Sequence, residues 1–167
     1  MTPHTEHDCL TSDLEALAGL KNYHGWILDE IRPYLGPRVV EIGGGIGTFA
    51  KLLVDAHLLP HPATRLEVFE PASAFCLQLQ DELHHAYPDL IRAGRLIVTG
   101  KLFQPSPDQC DTVIMINVLE HIQDDQASAR AVHEALSPGG TFIVYSPALP
   151  WLFSRHDKLV GHYRRYA

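Results

Sequence analysis

The sequence predicts an α/β fold, a Rossmann-like doubly wound and mostly parallel sheet with helices on both faces. Three observations carry that prediction. Short apolar runs of strand length alternate with segments of helical apolar spacing, and glycine or proline breaks separate them. The polar residues able to do chemistry follow the apolar runs rather than interrupt them. Strands buried on both faces read as continuous apolar runs. Right-handed crossovers then place their C-terminal ends on one edge, where ligands bind near the point at which strand order reverses.

Taken in order, the chain opens with a helical region in which Ser12 caps a turn over Asp13 to Ala18. Tyr23, Trp26, Ile27 and Ile31 then give an apolar face at helical spacing before Pro33. Arg38 to Ile42 reads as the first strand, stopped by glycines, and Thr48 to Ala56 as a helix with Phe49, Leu52 and Leu53 inward. Leu66 to Phe69 is a second strand closed by Glu70-Pro71. Ser73 is positioned to cap a helix carrying Phe75, Leu77, Leu79 and Leu83. Arg95 to Thr99 and Thr112 to Ile116 are the third and fourth strands. Gln126 to Leu136 is a helix ended by Ser137-Pro138-Gly139-Gly140, and Thr141 to Tyr145 is the fifth strand.

At 167 residues the chain fits one domain, expected to divide into a helical cap (1–35), a core (36–146) and a substrate-side loop (147–167). No apolar run approaches the roughly 20 residues that span a bilayer, and the polar N-terminus has no signal-peptide pattern. The three cysteines, Cys9, Cys76 and Cys110, are too far apart for a zinc-like spacing and read as reduced thiols of a cytoplasmic protein. A net charge of −7 argues against nucleic acid as a partner. The charge is uneven, however. Trp151 to Ala167 carries +3, with Arg155, Lys158, Arg164 and Arg165 against Asp157, so that the other 150 residues carry −10. That segment is either a solvated terminus or a surface that meets an anionic acceptor.

The strongest motif is Glu41-Ile42-Gly43-Gly44-Gly45-Ile46-Gly47, between a buried strand and an amphipathic helix. Glycines allow a tight turn and close approach of a ligand to backbone, and the helix start offers free N–H groups. A dinucleotide fingerprint would need a small third residue at position 48, which is Thr48; the third glycine of the spacing is Gly47. Glu70 ends the second strand 23 residues after Gly47, where a carboxylate can accept from both hydroxyls of a ribose. An exposed turn acid before Pro71 is the alternative. The third motif is Asn117-Val118-Leu119-Glu120-His121-Ile122, directly after the fourth strand.

The E-x-G-x-G-x-G spacing, Glu70, the run "NVLEH" and the downstream run Gly161-His162-Tyr163-Arg164-Arg165-Tyr166 together resemble class I S-adenosylmethionine-dependent methyltransferases, in a subgroup acting on small molecules. The resemblance covers most of the chain, from about Lys21 to Tyr166. It implies S-adenosyl-L-methionine as cofactor, held by Glu41, Gly43, Gly44, Gly45, Gly47, Glu70 and Pro71. It further implies that Asn117 and Val118 line the methionine end and that Tyr23 reaches the methionine carboxylate. A small-molecule acceptor would meet the basic segment through His156, Arg164, Arg165 and Tyr166. His121 and His162 are the candidates for a general base, since an imidazole titrates near neutrality. His121 is alternatively a residue that fixes the turn. No metal site is expected, because the eleven histidines are scattered along the chain.

Two features depart from the family pattern. Family members often carry an acid after the third strand that accepts from the adenine amino group; here the pair is Gly100-Lys101. Adenine contacts are therefore expected from backbone groups of Lys101 or Leu102. The family sheet usually has seven strands, and this chain carries five strand segments, so the last two are expected to be lacking, through truncation or completion by a partner such as a second copy. A nicotinamide-dependent oxidoreductase and a non-catalytic cofactor-binding module are the rival readings.

Overall fold

The computed structural model describes residues 16, 18–106 and 108–167. Cys9, Ser12 and residues 13–15 and 17 of the turn expected after it lie outside the described residues; Ala16 and Ala18 are helical. Helix α1 (Lys21–Ile31) buries His24, Ile27, Leu28 and Ile31. The expected face is thus rotated: Trp26 is 52% exposed and His24 takes its place inward. Pro33 stops the helix, and a 3-10 turn (Arg32–Tyr34) leads into the first strand.

Five parallel strands make one sheet in the order β3-β2-β1-β4-β5: β1 (Arg38–Ile42), β2 (Arg65–Phe69), β3 (Leu96–Thr99), β4 (Cys110–Ile116) and β5 (Leu136–Tyr145). The chain moves outward from β1 through β2 to β3, then returns to place β4 on the other side of β1. The crevice between the C-terminal ends of β1 and β4 is therefore the switch point where ligands bind in such sheets. The glycine loop, Glu70 and Asn117 follow β1, β2 and β4, whereas Lys101 and Leu102 follow β3 and the basic segment follows β5.

The strands alternate between two cores because successive side chains point to opposite faces. Val39, Val68 and Ile114 pack with α1, with α2 (Thr48–Leu53) and with α3 (Ser73–Ala86), through Ile27, Leu53 and Leu79. Val40, Phe69, Val113 and Met115 pack on the other face against Val132 and Ala135 of α5 (Asp125–Ala135). These doubly covered apolar strands account for the continuous runs of the sequence.

Several boundaries differ from expectation, each for a local reason. After Leu53 the helix continues as a π-helical turn over Val54–Leu58. Ser73 does not cap α3; the preceding turn is tied instead by Glu70, whose Oε1 accepts from the Ala72 N–H at 2.8 Å. Leu77 of that helix is exposed. A short helix α4 (Pro88–Arg92), started by its proline, was not anticipated. Asp124 caps α5 by accepting from Ala127 N–H at 2.8 Å. Strand β5 begins at Leu136, because Ser137 to Gly140 form an irregularity that lets Leu136 pair with Cys110 and Thr141 with Thr112.

Candidate functional site

The glycine loop and Glu70 form a single hydrogen-bonded unit. Gly43 and Gly44 N–H groups both donate to Phe69 O, at 2.7 and 3.1 Å, which ties the β1 exit to the β2 exit. Gly43 has φ +78°, and a Cβ there would lie 2.4 Å from Cγ2 of Val118. The loop can approach the β4 exit this closely only without a side chain. Gly45 N–H donates to Glu70 Oε2 at 2.8 Å, while Glu70 Oε1 holds Ala72. A carboxylate has about four acceptor positions. The backbone occupies one on each Glu70 oxygen, leaving capacity for further donors. Gly47 serves packing: its Cβ would meet Leu79 at 2.8 Å, and it does not line the hollows on either side of the loop.

On the β1 side of the loop, Glu41 faces a small hollow shared with Gly43, Gly44, Gly45, Thr48 and Asn117. Glu41 is buried, and its Oε2 has no hydrogen-bond partner. Burial, and secondarily the Glu70 charge, push its pKa up to about 8. A buried acceptor without a donor is costly, so the hollow is suited to a ligand that brings one, above all an ammonium group. Asn117 stands opposite with φ +53°, a left-handed conformation that asparagine tolerates better than most residues. Its side-chain amide donates to Tyr23 Oη at 3.3 Å, and the Tyr23 ring meets Tyr145 edge-on at 5.8 Å. Tyr23 thus stands beside Asn117 at the β4 exit.

Beyond Glu70 an apolar cleft of about 320 Å³ opens, lined by Phe69, Pro71, Phe75, Leu102, Phe103 and Ile122, with Gly43, Gly45, Asn117, Val118 and His121 on its margins. Phe103 stands edge-on to Phe69 at 5.2 Å. Lys101 is exposed and does not line the cleft, whereas Leu102 does while 71% exposed. Phe103 was missed in the sequence; an aromatic residue soon after the third strand was the available signal.

The basic segment is held by ion pairs of its own arginines with Asp125 and Asp157. A 3-10 turn (Pro150–Leu152) leads to helix α6 (Arg155–Leu159), whose start is a capping box. Asp157 Oδ2 accepts from Ser154 N–H at 2.7 Å, and Ser154 Oγ accepts from His156 N–H at 3.2 Å. Asp157, only 1% exposed, also takes both nitrogens of a fork from Arg165, at 2.7 and 3.0 Å. That guanidinium, with the Ser154 bonds, holds the Asp157 carboxyl well below the usual range despite burial. Arg164 pairs with Asp125 and donates to Gln123 O at 2.6 Å. Tyr166 Oη donates to Asp125 at 3.0 Å, and its pKa is pushed up to about 12 by burial and by Asp125. Neither arginine nor Tyr166 lines the cleft, so their guanidinium and phenol groups brace the segment. His156 sits exposed on α6.

What the segment brings against His121, which lines the cleft, is His162. Its ring meets that of His121 edge-on at 4.5 Å, and its Nδ1 lies 3.2 Å from Asp157 Oδ1. His121 is half-buried, and burial followed by the nearby His162 lowers its pKa to about 4, so it is neutral at physiological pH. Tyr163 N–H donates to Glu120 O at 2.8 Å and pins the segment to the 3-10 turn Leu119–His121. Glu120, His121 and His162 thereby present ligand atoms within 4.8 Å of one another. Histidines scattered in sequence are thus brought together in space with a buried acid.

Comparison with known proteins agrees with the geometry. The profile of the methyltransferase domain family matches residues 40–142. A ubiquinone biosynthesis O-methyltransferase of Pseudomonas syringae pv. tomato is 28% identical over 115 residues, 69% of this chain and 46% of that protein. The chain thus spans about half the length of the curated relatives it matches. Among solved structures, a Haemonchus contortus N-methyltransferase in complex with phosphomonomethylethanolamine and S-adenosylhomocysteine superposes with a TM-score of 0.67. It is 19% identical and covers 87% of this chain and 34% of that one. An S-adenosylmethionine-dependent methyltransferase from Mesorhizobium loti superposes at 0.55, with 21% identity, covering 78% of this chain and 56% of that one. At these identities the structural likeness speaks to the fold, which is Rossmann-like.

Proposed function

The chain belongs to the methyltransferase domain family, and from that premise we propose that it binds S-adenosylmethionine in the crevice between β1 and β4 and transfers its methyl group to a small molecule. The observation that carries this reading is the pairing of an orphaned acid with a half-used one. Glu41 Oε2 is buried without a donor, and Glu70 keeps acceptor capacity beside the Gly43–Gly45 backbone. An ammonium group fits the first and a ribose the second. Phe103, Leu102 and Phe69 offer the apolar walls that a purine requires, in place of the acid that Lys101 replaces. Asn117 and Tyr23 stand where a carboxylate would accept their hydrogens.

When bound, the cofactor supplies a methyl group already activated on a sulfonium centre, so the protein's contribution is chiefly positioning and exclusion of water. The acceptor enters beside His121, which lines the cleft and meets His162 of the Pro147–Tyr166 segment edge-on. The named activity of the curated relatives favours an oxygen acceptor. Arg155 and Lys158, exposed on α6, are the cations left for a polar or anionic acceptor once Arg164 and Arg165 are committed to Asp125 and Asp157. The same reading takes residues 1–167 as one catalytic domain. It includes a homodimer through the β5 side, where Val144, Trp151 and Leu152 are exposed; sedimentation measures it.

Calorimetric titration with S-adenosylmethionine and with its demethylated product tests the core of the proposal. One site per chain with at least micromolar affinity, reduced in Glu70→Ala, is the expected outcome. Binding of a nicotinamide dinucleotide in preference to both would replace this reading with that of an oxidoreductase.

A further inference from the structure

We propose that Glu120, His121 and His162 form a binding site for a divalent transition-metal ion, of the zinc, cobalt or manganese type, at the acceptor side of the cleft. Two imidazoles and one carboxylate are a donor set that such ions take, with positions left open for an exogenous ligand. In this chain their ligand atoms lie within 4.8 Å of one another, so one ion can reach all three after small side-chain adjustments.

The second, independent observation is Glu120 itself. The residue is 0% exposed, and one of its carboxylate oxygens, Oε2, accepts from Ser146 Oγ at 2.8 Å. The other, Oε1, has no hydrogen-bond partner, and no Lys or Arg pairs with it among the described residues. A buried carboxylate oxygen left without a donor or a cation is costly, and it belongs to the same group as two imidazoles. An ion held between them supplies the missing partner.

The surroundings are those of an oriented ligand set. Asp157 Oδ1 stands 3.2 Å from Nδ1 of His162, the contact by which a carboxylate commonly fixes a metal-ligating imidazole. Asp157 is in turn locked by Arg165 and Ser154. The Glu120 carboxylate is held by Ser146, and its backbone carbonyl accepts from Tyr163 N–H at 2.8 Å, which ties the two ligand-bearing segments together. His121 also lines the apolar cleft, so an ion bound by this group would sit beside that cleft. The ion's use there, to bind and polarise a hydroxyl or carboxylate oxygen of that acceptor, rests on the methyltransferase reading; its binding does not.

The test is direct titration of chelator-treated full-length protein, without cofactor or acceptor. Zn²⁺ is followed by calorimetry and Co²⁺ by visible absorption. One ion per chain is expected, with Co²⁺ bands typical of nitrogen and oxygen ligation at low coordination number. His162→Ala should weaken binding at least about tenfold, and the double variant His121→Ala/His162→Ala beyond about a hundredfold. Glu120→Gln should also cost about tenfold; if that buried substitution unfolds the chain by circular dichroism, the histidine variants decide alone. The surface variant His84→Ala/His85→Ala should bind as the parent does. Absence of a stoichiometric ion below about 100 µM, or equal affinity in the double histidine variant, overturns the site. Because the cofactor is absent throughout, failure of cofactor binding and failure of ion binding are read separately.

Discussion

On the β1–β2 side of the crevice the binding groups are backbone amides and acids with unused capacity, whereas on the β4–β5 side Asp125, Asp157, Arg164 and Arg165 already partner one another. Glu41 leaves one oxygen buried and unpaired, and Glu70 spends one acceptor position per oxygen on Gly45 and Ala72. Across the crevice, Asp157 alone gathers Ser154, His162 and Arg165, and Asp125 gathers Arg164 and Tyr166. The first side is shaped to be completed by a ligand. The second largely completes itself, and among its buried groups Glu120 keeps one oxygen without a partner. The difference shows that positive charge in a sequence is no guide to anion binding until its internal partners are known.

The comparison breaks most readily at Asp157. Asp157→Ala removes a helix cap, the fork to Arg165 and the contact to His162 in one step. It is expected to destabilise the fold by about 2–4 kcal/mol in urea unfolding. Cofactor affinity should stay within about twofold, since Gly43 to Gly45 and Glu70 belong to other elements. A parallel loss of cofactor affinity would show that the two sides are one cooperative unit.

Glu41 offers a test by pH. Its folded pKa, about 8, lies above the value of an unfolded carboxylate, so the folded state holds the proton more tightly. Its contribution to stability is full below about pH 4.3 and is lost as pH rises toward 8. Stability of the ligand-free protein should therefore fall over that window by on the order of a few kcal/mol, and Glu41→Gln should flatten this dependence. Cofactor affinity should rise over the same window in the parent protein, because the ionised acid is the better partner for an ammonium group. An unchanged pH dependence in Glu41→Gln would remove the acid from the account.

Glu70→Ala should weaken S-adenosylmethionine binding by about 1.5–3 kcal/mol, through loss of hydrogen bonds to a charged acceptor. Stability should fall by about 1 kcal/mol as Gly45 and Ala72 lose their acceptor. A loss of affinity below about 0.5 kcal/mol would leave Glu70 as a brace of the loop only. The smallest effects belong to the arginines. Arg164→Ala, at a half-exposed pair, should move Tm by less than about 2 °C. Arg165→Ala, which strips a buried carboxylate, should move it further. The reverse order would contradict the assignment of Asp157 as the centre of the segment.

The sheet was legible because its central strands β1, β2 and β4 are buried on both faces, so that their apolar runs stand out without any knowledge of neighbours. Arg38 to Ile42, Leu66 to Phe69 and the rest fall within a few residues of the observed strands for that reason. The glycine loop and Glu70 were legible because their role depends on local backbone and on position after a strand, both of which are sequential properties. Even there tertiary packing reassigned parts: Gly47 makes room for Leu79, and Gly43 for Val118.

The sequence by itself determined the fold class, the binding edge and the candidate cofactor loop, since periodicity and chain order are enough to place strand ends. Only the tertiary structure decided what the acceptor side consists of. His121 and His162 are separated by two helices, a strand and a 3-10 turn, and nothing local announces that their rings meet edge-on at 4.5 Å in one group with a buried Glu120. Nor does composition reveal that Arg165 faces Asp157 rather than solvent. Such groups acquire their chemistry from partners distant in the chain, and distance along the chain carries no information on proximity until the crossovers have been laid down.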